Sequence, residues 1–140
     1  MKLCEKTGRR LRRASYSAQG VHVAMVYTDL SWWHTGRKFD VPVYTTGEIY
    51  EKAMRLLNRS GFKRKVRNLA VSVYDLVPTT DEQLELFASP KHAVSKAMDK
   101  INDRWGEFVI TPALMLRIQD VILDRIAFGG VKELQELYTD

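Results

Sequence analysis

The chain opens on a helical period. Leu3, Cys4, Thr7, Leu11 and Ala14 recur at spacings of three and four, which predicts a helix over 2–15 with one apolar stripe. Lys6, Arg9, Arg10, Arg12 and Arg13 surround the stripe, and Gly8 interrupts it where an isolated helix would be weakened. The period then changes to two. Val21, Val23, Met25 and Tyr27 point one way and His22, Ala24, Val26 and Thr28 the other, so residues 21–28 read as a strand with one buried face. Asp29 to Phe39 reads as a loop and a short second strand, with Gly36 at the bend and Arg37 and Lys38 following it.

A second helix is marked at both ends. Thr45, Thr46, Gly47 and Glu48 form a capping box, because a Thr hydroxyl and a Glu three residues on satisfy each other's free amides. Ile49, Ala53, Leu56 and Leu57 make its buried stripe, and Ser60-Gly61 ends it with a left-handed cap. After Lys63-Arg64-Lys65, residues 66–77 alternate again, with Leu69, Val71 and Val73 towards the core and Asn68, Ala70 and Ser72 away from it.

From Pro78 the pattern breaks. Residues 79–90 form a polar linker that holds one apolar pentad, Gln83-Leu84-Glu85-Leu86-Phe87, outside any periodic element. Ser89-Pro90 then predicts the start of a third helix, with Val94, Ala97, Met98, Ile101 and Trp105 as its stripe and Gly106 as its stop. Glu107 to Ile110 reads as a spare strand. Thr111-Pro112 opens a fourth helix with Leu114, Ile118, Val121, Ile122 and Ile126 inward, Gly129-Gly130 breaks it, and Val131 to Tyr138 is a last helical segment. The expected class is therefore α+β: an antiparallel sheet with helices on one face, a split β-α-β arrangement, followed by a mainly helical tail. The units are 1–78, a linker over 79–90, and 91–140.

Charge sharpens this division. Residues 1–78 carry fifteen Lys and Arg against six Asp and Glu, net +9; residues 79–140 carry seven against eleven, net −4. A basic unit followed by an acidic one points to a polyanion partner for the first part, nucleic acid being the commonest; surplus lysine that keeps a surface soluble is the alternative. Arg37, Lys38, Lys65 and Arg67 would fringe a sheet face left open by the helices and bind phosphates there without reading sequence. One cysteine, Cys4, excludes an internal disulfide framework and suggests a reducing compartment, with the cytoplasm as the expected location. No apolar run has membrane-spanning length and the basic start lacks a signal-peptide core, so no membrane partner is expected.

Catalytic chemistry finds no foothold. There is no glycine-rich phosphate loop, and no serine stands in a nucleophile-elbow context. His22, His34 and His92 lie on different elements, which argues against a metal site. Asp99 and Asp103, four apart, read as a solvated helix face interleaved with Lys96 and Lys100. Trp32 and Trp33 are adjacent and should face opposite ways, so the paired aromatics of base-stacking sheets are not expected.

The pentad resembles the clamp-binding motif of bacterial replication and repair proteins, Gln-Leu-x-Leu-Phe. In Y-family translesion DNA polymerases (the polymerase IV and V type) that motif follows the little-finger domain. The stretch before it is similar to that domain: Leu11-Arg12-Arg13 through Val21-His22-Val23, Thr28-Asp29-Leu30, Gly36 to Phe39, Thr45 to Leu57, and Val66 to Val73. Ser89 to Ile126, with Asp99, Asn102-Asp103-Arg104, Thr111-Pro112 and Ile126 to Gly129, is similar to the tail of many bacterial members. Family members carry arginines on the open face of the last strand, where this sequence has Asn68 and Ser72.

The resemblance implies a DNA-binding, clamp-docking part of an error-prone polymerase that serves DNA damage repair and the SOS response. It implies phosphate contacts from Arg37, Lys38, Lys65 and Arg67, with Thr35 and Ser72 as hydroxyl donors, and a sliding clamp taken by Gln83, Leu84, Leu86 and Phe87. The palm, with its Mg²⁺-binding carboxylates, and the sheet's first strand would precede residue 1, so this chain is expected to hold no cofactor and to catalyse nothing by itself. The vacant sheet edge would be filled by 107–110, from its own chain or in a strand-exchanged homodimer. The alternatives are a stand-alone nucleic-acid-binding α/β module, for DNA or RNA, and a small enzyme with an unrecognised site.

Overall fold

The computed structural model describes residues 1–61, 64–79 and 90–115. Helix α1 (Lys2–Arg13) leads into strand β1 (Tyr16–Tyr27), which turns into β2 (Trp32–Val43). Helix α2 (Thr46–Arg59) follows, then β3 (Val66–Pro78) and α3 (Pro90–Trp105), with a 3₁₀ turn at Ala113–Met115. The three strands form one antiparallel sheet in the order β2-β1-β3. Helices α1 and α2 cover one face of it, and the apolar side of β1 (Val21, Val23, Met25, Tyr27) is buried beneath them with Leu11, Ile49, Ala53 and Leu56. The α+β architecture read from the period is the one observed.

Local signals set α2. The Thr45 hydroxyl accepts from the Glu48 amide at 3.3 Å, and the Glu48 carboxylate accepts from the Tyr44 and Thr45 amides at 2.9 Å each. Burial works against the Glu48 charge, yet those two amides and the Thr45 hydroxyl hold its carboxyl below the ordinary glutamate value. Gly61 closes the helix at φ +57°.

Gly8, the weak point of the first helix read alone, is required by packing. A Cβ there would lie 2.8 Å from Arg12 Nη1, 3.2 Å from Thr46 Oγ1 and 3.4 Å from Ile49 Cδ1, so only glycine lets α1 approach the start of α2 this closely.

Five readings are corrected. Strand β1 begins at Tyr16, five residues before the alternating run, because the Tyr74 ring of β3 covers the side-chain space that Gly20 leaves empty. Gly36 is no bend: it lies within β2 opposite His22, and the turn is in the connection 28–31, where the Ser31 amide donates to Asp29 Oδ1 at 2.9 Å. Residues 39–42 loop out of the β1–β2 ladder between the pairs Gly20–Lys38 and Ala18–Val43, at a place where Pro42 has no amide to donate.

The third correction concerns the tail. The expected α3 stripe does not face inward: Val94 and Trp105 are more than half exposed, and Ala97 and Ile101 also reach solvent. Helix α3 docks on α1 through its polar side. Arg12 forms a two-pronged pair with Asp99, Nε to Oδ2 at 2.5 Å and Nη2 to Oδ1 at 2.8 Å, while Asp103 accepts from Arg9 at 2.6 Å and Arg13 at 2.9 Å. Asp99 and Asp103 are thus ion-pair partners of α1 and not a solvated face.

Residues 107–110 form a turn and not a strand. The buried Asn102 amide grips them through the Ile110 backbone at 2.9 Å in both directions, and Phe108 lies under Lys2 and Lys6. Among the described residues nothing pairs with the outer edges of β2 and β3. The pentad 83–87, the Ser89 cap, the body of the fourth helix and the segment 131–138 lie outside the described residues.

Candidate nucleic-acid interface

Two surfaces of the sheet unit carry the candidate residues. The alternation of β1 and β3 leaves one sheet face without a helix over it. Across that face run Trp32, His34 and Lys38 from β2, His22, Ala24 and Val26 from β1, and Asn68, Ala70, Ser72 and Tyr74 from β3. Of the six residues expected to meet DNA, only Lys38 and Ser72 belong to it. Thr35 pairs with Val23 and Arg37 with Val21, so both share the helix-covered side, at its β2 edge. Lys65 and Arg67 are exposed at the start of β3, beside Arg64, which reaches Asp29 at 3.1 Å.

Lys38 pairs with Asp75, whose hydrogen bond and charge raise the ammonium above the ordinary lysine value. Ser72 Oγ lies 3.5 Å from His22 Nδ1, the limit of a hydrogen bond.

Arg37 instead joins a group that sequence reading missed. Lys52, Arg55 and Arg59 extend from α2 towards the β2 edge and line one groove with Arg37, Lys38 and Phe39. Their spacing of three and four places them on one helical face beside the buried stripe of Ile49, Ala53 and Leu56, a signal present in the sequence. The Lys52 ammonium stands 4.6 Å over the Phe39 ring, and Arg55 pairs with Glu51 at 2.5 Å. Arg37 and Arg59 make no ion pair among the described residues. Lys38 and Arg55 are offset by Asp75 and Glu51, so Arg37, Lys52 and Arg59 against Asp40 leave the groove with a net positive field suited to a phosphate backbone.

The histidines are also redistributed. His22 Nε2 and His34 Nδ1 come to 3.0 Å, one donating and the other accepting, because the antiparallel register sets them diagonally across β1 and β2. Partial burial, and then the neighbouring His34, lower the His22 value. His92 packs on Tyr44, ring centres 4.6 Å apart, within reach of the Glu48 charge. Among the described residues no three His, Cys, Asp or Glu side chains gather to hold a metal ion, and no helix is long and apolar enough to cross a membrane. Asp99 and Asp103, which stand one turn apart, are both matched to arginines, an arrangement that does not suit Mg²⁺.

Known proteins are similar to this chain in sequence. A family model described as the impB/mucB/samB family C-terminal domain matches residues 1–86. DNA polymerase IV of Pelotomaculum thermopropionicum is 34% identical over 128 residues, 89% of this chain and 32% of that protein. DNA polymerase IV of Moorella thermoacetica is 34% identical over 121 residues, 83% and 30% of the two chains. The putative UV-damage repair protein UvrX of Bacillus subtilis is 23% identical over 136 residues, 93% of this chain and 33% of that one. The chain spans about a third of the length of these relatives.

Proposed function

The chain belongs to the impB/mucB/samB family of C-terminal domains, those of Y-family DNA polymerases, and from that premise we propose that it grips primer–template DNA by its backbone and tethers a translesion polymerase to the sliding clamp. The observation that carries the DNA part is the groove of Arg37, Lys52, Arg55 and Arg59, where two arginines have no carboxylate to neutralise them among the described residues. Backbone contacts of this kind hold register without reading bases, which suits an enzyme that must accept damaged template. Lys38, Lys65 and Arg67 supply further phosphate contacts, with Thr35 and Ser72 as hydroxyl donors.

The clamp part rests on the sequence of Gln83 to Phe87, where Leu84, Leu86 and Phe87 would fill an apolar pocket of the clamp and Gln83 would add polar contacts. A tether raises local concentration without any new catalytic contact. In this reading the catalytic carboxylates and Mg²⁺ reside in a palm domain of the parent polymerase, and this chain supplies only binding.

The test is duplex binding by the full chain across a salt series. With Arg37→Ala and Arg59→Ala together, affinity should fall, the fold should persist, and the magnitude of the salt slope should shrink by about 1.8, at roughly 0.9 per lost phosphate contact. An unchanged slope in the folded double variant removes the groove from the interface. For the clamp, Leu86→Ala with Phe87→Ala should abolish capture by a bacterial sliding clamp and leave the melting temperature in place; a steep drop in melting temperature would instead make the pentad part of the core.

A further inference from the structure

His22 and His34 stand on neighbouring strands, and three features of the sheet turn their rings towards one point. Register sets them diagonally, since His22 pairs with Gly36 and Ala24 with His34. Gly36 leaves open the space directly across from His22: a Cβ there would lie 3.1 Å from His22 Cδ2, so the ring can lean over β2. Trp32, on the same side of β2, stacks on the His34 ring with centres 5.0 Å and planes 27° apart. Stacking covers a face of that ring and leaves its edge, where the nitrogens lie, free. The outcome is His22 Nε2 at 3.0 Å from His34 Nδ1.

A nitrogen pair at this distance has a second use. Imidazole nitrogens bind divalent transition metals at about 2.0–2.1 Å, so two of them 3.0 Å apart subtend an angle of about 95° at a shared ion. Tetrahedral zinc asks for about 109°, whereas square-planar and tetragonal Ni(II) and Cu(II) ask for about 90°. The other nitrogen of His22 also has a polar neighbour. Its Nδ1 lies 3.5 Å from Ser72 Oγ on β3, at the limit of a hydrogen bond, and metal-bound histidines commonly rest their outer nitrogen on such a group. We infer that His22 and His34 form a two-histidine site for a divalent transition-metal ion of the Ni(II) or Cu(II) kind, with water in its remaining positions.

The ion takes the place of the proton that the pair shares. Whichever ring donates that proton changes tautomer, and the hydrogen moves to its outer nitrogen: Nδ1 on His22, facing Ser72, or Nε2 on His34. Both rings then bind as neutral imidazoles. His34 is exposed, so its ring can turn to aim its lone pair and water can reach the ion. Among the described residues no third His, Cys, Asp or Glu joins the pair, so the site is an exchangeable one and not a closed structural centre. Placement on different elements, which argued against a metal in the sequence, is what strand register overcomes. The inference is independent of the DNA reading, because the groove at the β2 edge contains neither histidine.

The experiment titrates the full, untagged chain with NiCl2 or CuCl2 alone in a non-coordinating buffer at mildly alkaline pH, by calorimetry and by tryptophan fluorescence. One equivalent should bind, and bound Cu(II) should quench part of the emission, because Trp32 stacks directly on a ligand. His34→Gln and His22→Gln should each weaken binding by at least about tenfold, since losing a ligand costs no less than losing an outer-nitrogen partner. His92→Gln, which alters the histidine on Tyr44, is the control and should leave the affinity unchanged. His34 is exposed, so its variant should keep the fold even if that of His22 does not.

Binding undiminished in His34→Gln, or lost equally in His92→Gln, overturns the site, as does a wild-type chain that takes up neither ion. The pair is then a hydrogen bond between strands and nothing more.

Discussion

Removing the Asp99 carboxylate tests how the tail is held. The Arg12 side chain is 3% exposed and that of Asp99 15%, so this ion pair is largely desolvated. Burial disfavours the guanidinium charge, and the hydrogen bonds and charge of Asp99, with Glu5 and Tyr44 behind, more than compensate and hold Arg12 above its ordinary value. In Asp99→Ala the guanidinium keeps hydrogen bonds to the Tyr44 carbonyl at 3.2 Å and the Thr46 hydroxyl at 3.4 Å, with the Tyr44 ring and the Glu5 charge nearby but no hydrogen-bonded carboxylate. Removing one partner of a buried pair costs about 3–5 kcal/mol, because the other charge stays behind uncompensated.

Two features set the loss at the lower end. Two contacts to Arg12 survive, and α3 can swing away and let water reach it. A loss of about 3 kcal/mol is therefore expected, and with it a fall in melting temperature of roughly 10 °C for a chain of this size. Hydrogen exchange across α3 should accelerate in step, since its docking on α1 is mainly ionic. Asp103→Ala is the comparison: Asp103 is 41% exposed, Arg13 lies in solvent and Arg9 keeps Glu107 at 3.8 Å, so the melting temperature should fall by less than in Asp99→Ala. Replacing the pair together, Arg12→Met with Asp99→Leu, should recover most of the loss, because an apolar pair leaves no charge buried. If Asp99→Ala melts like Asp103→Ala, the pair does not hold the tail and the reasoning fails.

Two further outcomes follow from the packing of α1 and α2. Gly8→Ala should destabilise by about 1–3 kcal/mol despite the better helix propensity of alanine, since the new methyl meets an Arg12 that Asp99 pins in place; a melting temperature equal to or above that of the wild type would refute it. Glu48 has a folded value below its unfolded one, so its stabilisation is complete above the ordinary glutamate value and is lost as pH falls through the depressed one. Glu48→Gln keeps the capping geometry without the titration, so acid melts of that variant should depend less on pH over that window; an unchanged pH profile would assign the dependence to other carboxylates.

What this chain's sequence determines by itself is local. The capping box at Thr45 and Glu48 acts across three residues, and its geometry is the one the sequence predicts. The alternation of Val21 to Tyr27 and of Ala70 to Val73 needs only a period of two to tell the core face from the open one, whereas Leu69, read as core-facing, is 40% exposed near the start of β3, where the core no longer covers it. The match of residues 1–86 to a known family likewise follows the order of side chains along the chain.

What tertiary structure alone decided concerns pairs far apart in sequence. A helical stripe in α3 says which side is apolar, but three arginines on α1 paired with Asp99 and Asp103, and so turned the polar side inward. Gly8 reads as a weakness and Gly36 as a bend until the side chains that occupy the vacated space are known, and those side chains lie between 4 and 41 residues away. His22 and His34 became neighbours through strand register, and Arg37 joined Lys52, Arg55 and Arg59 through the packing of α2 along the β2 edge. Register and helix docking depend on how the whole set of apolar faces is buried at once, and no window of sequence contains that information.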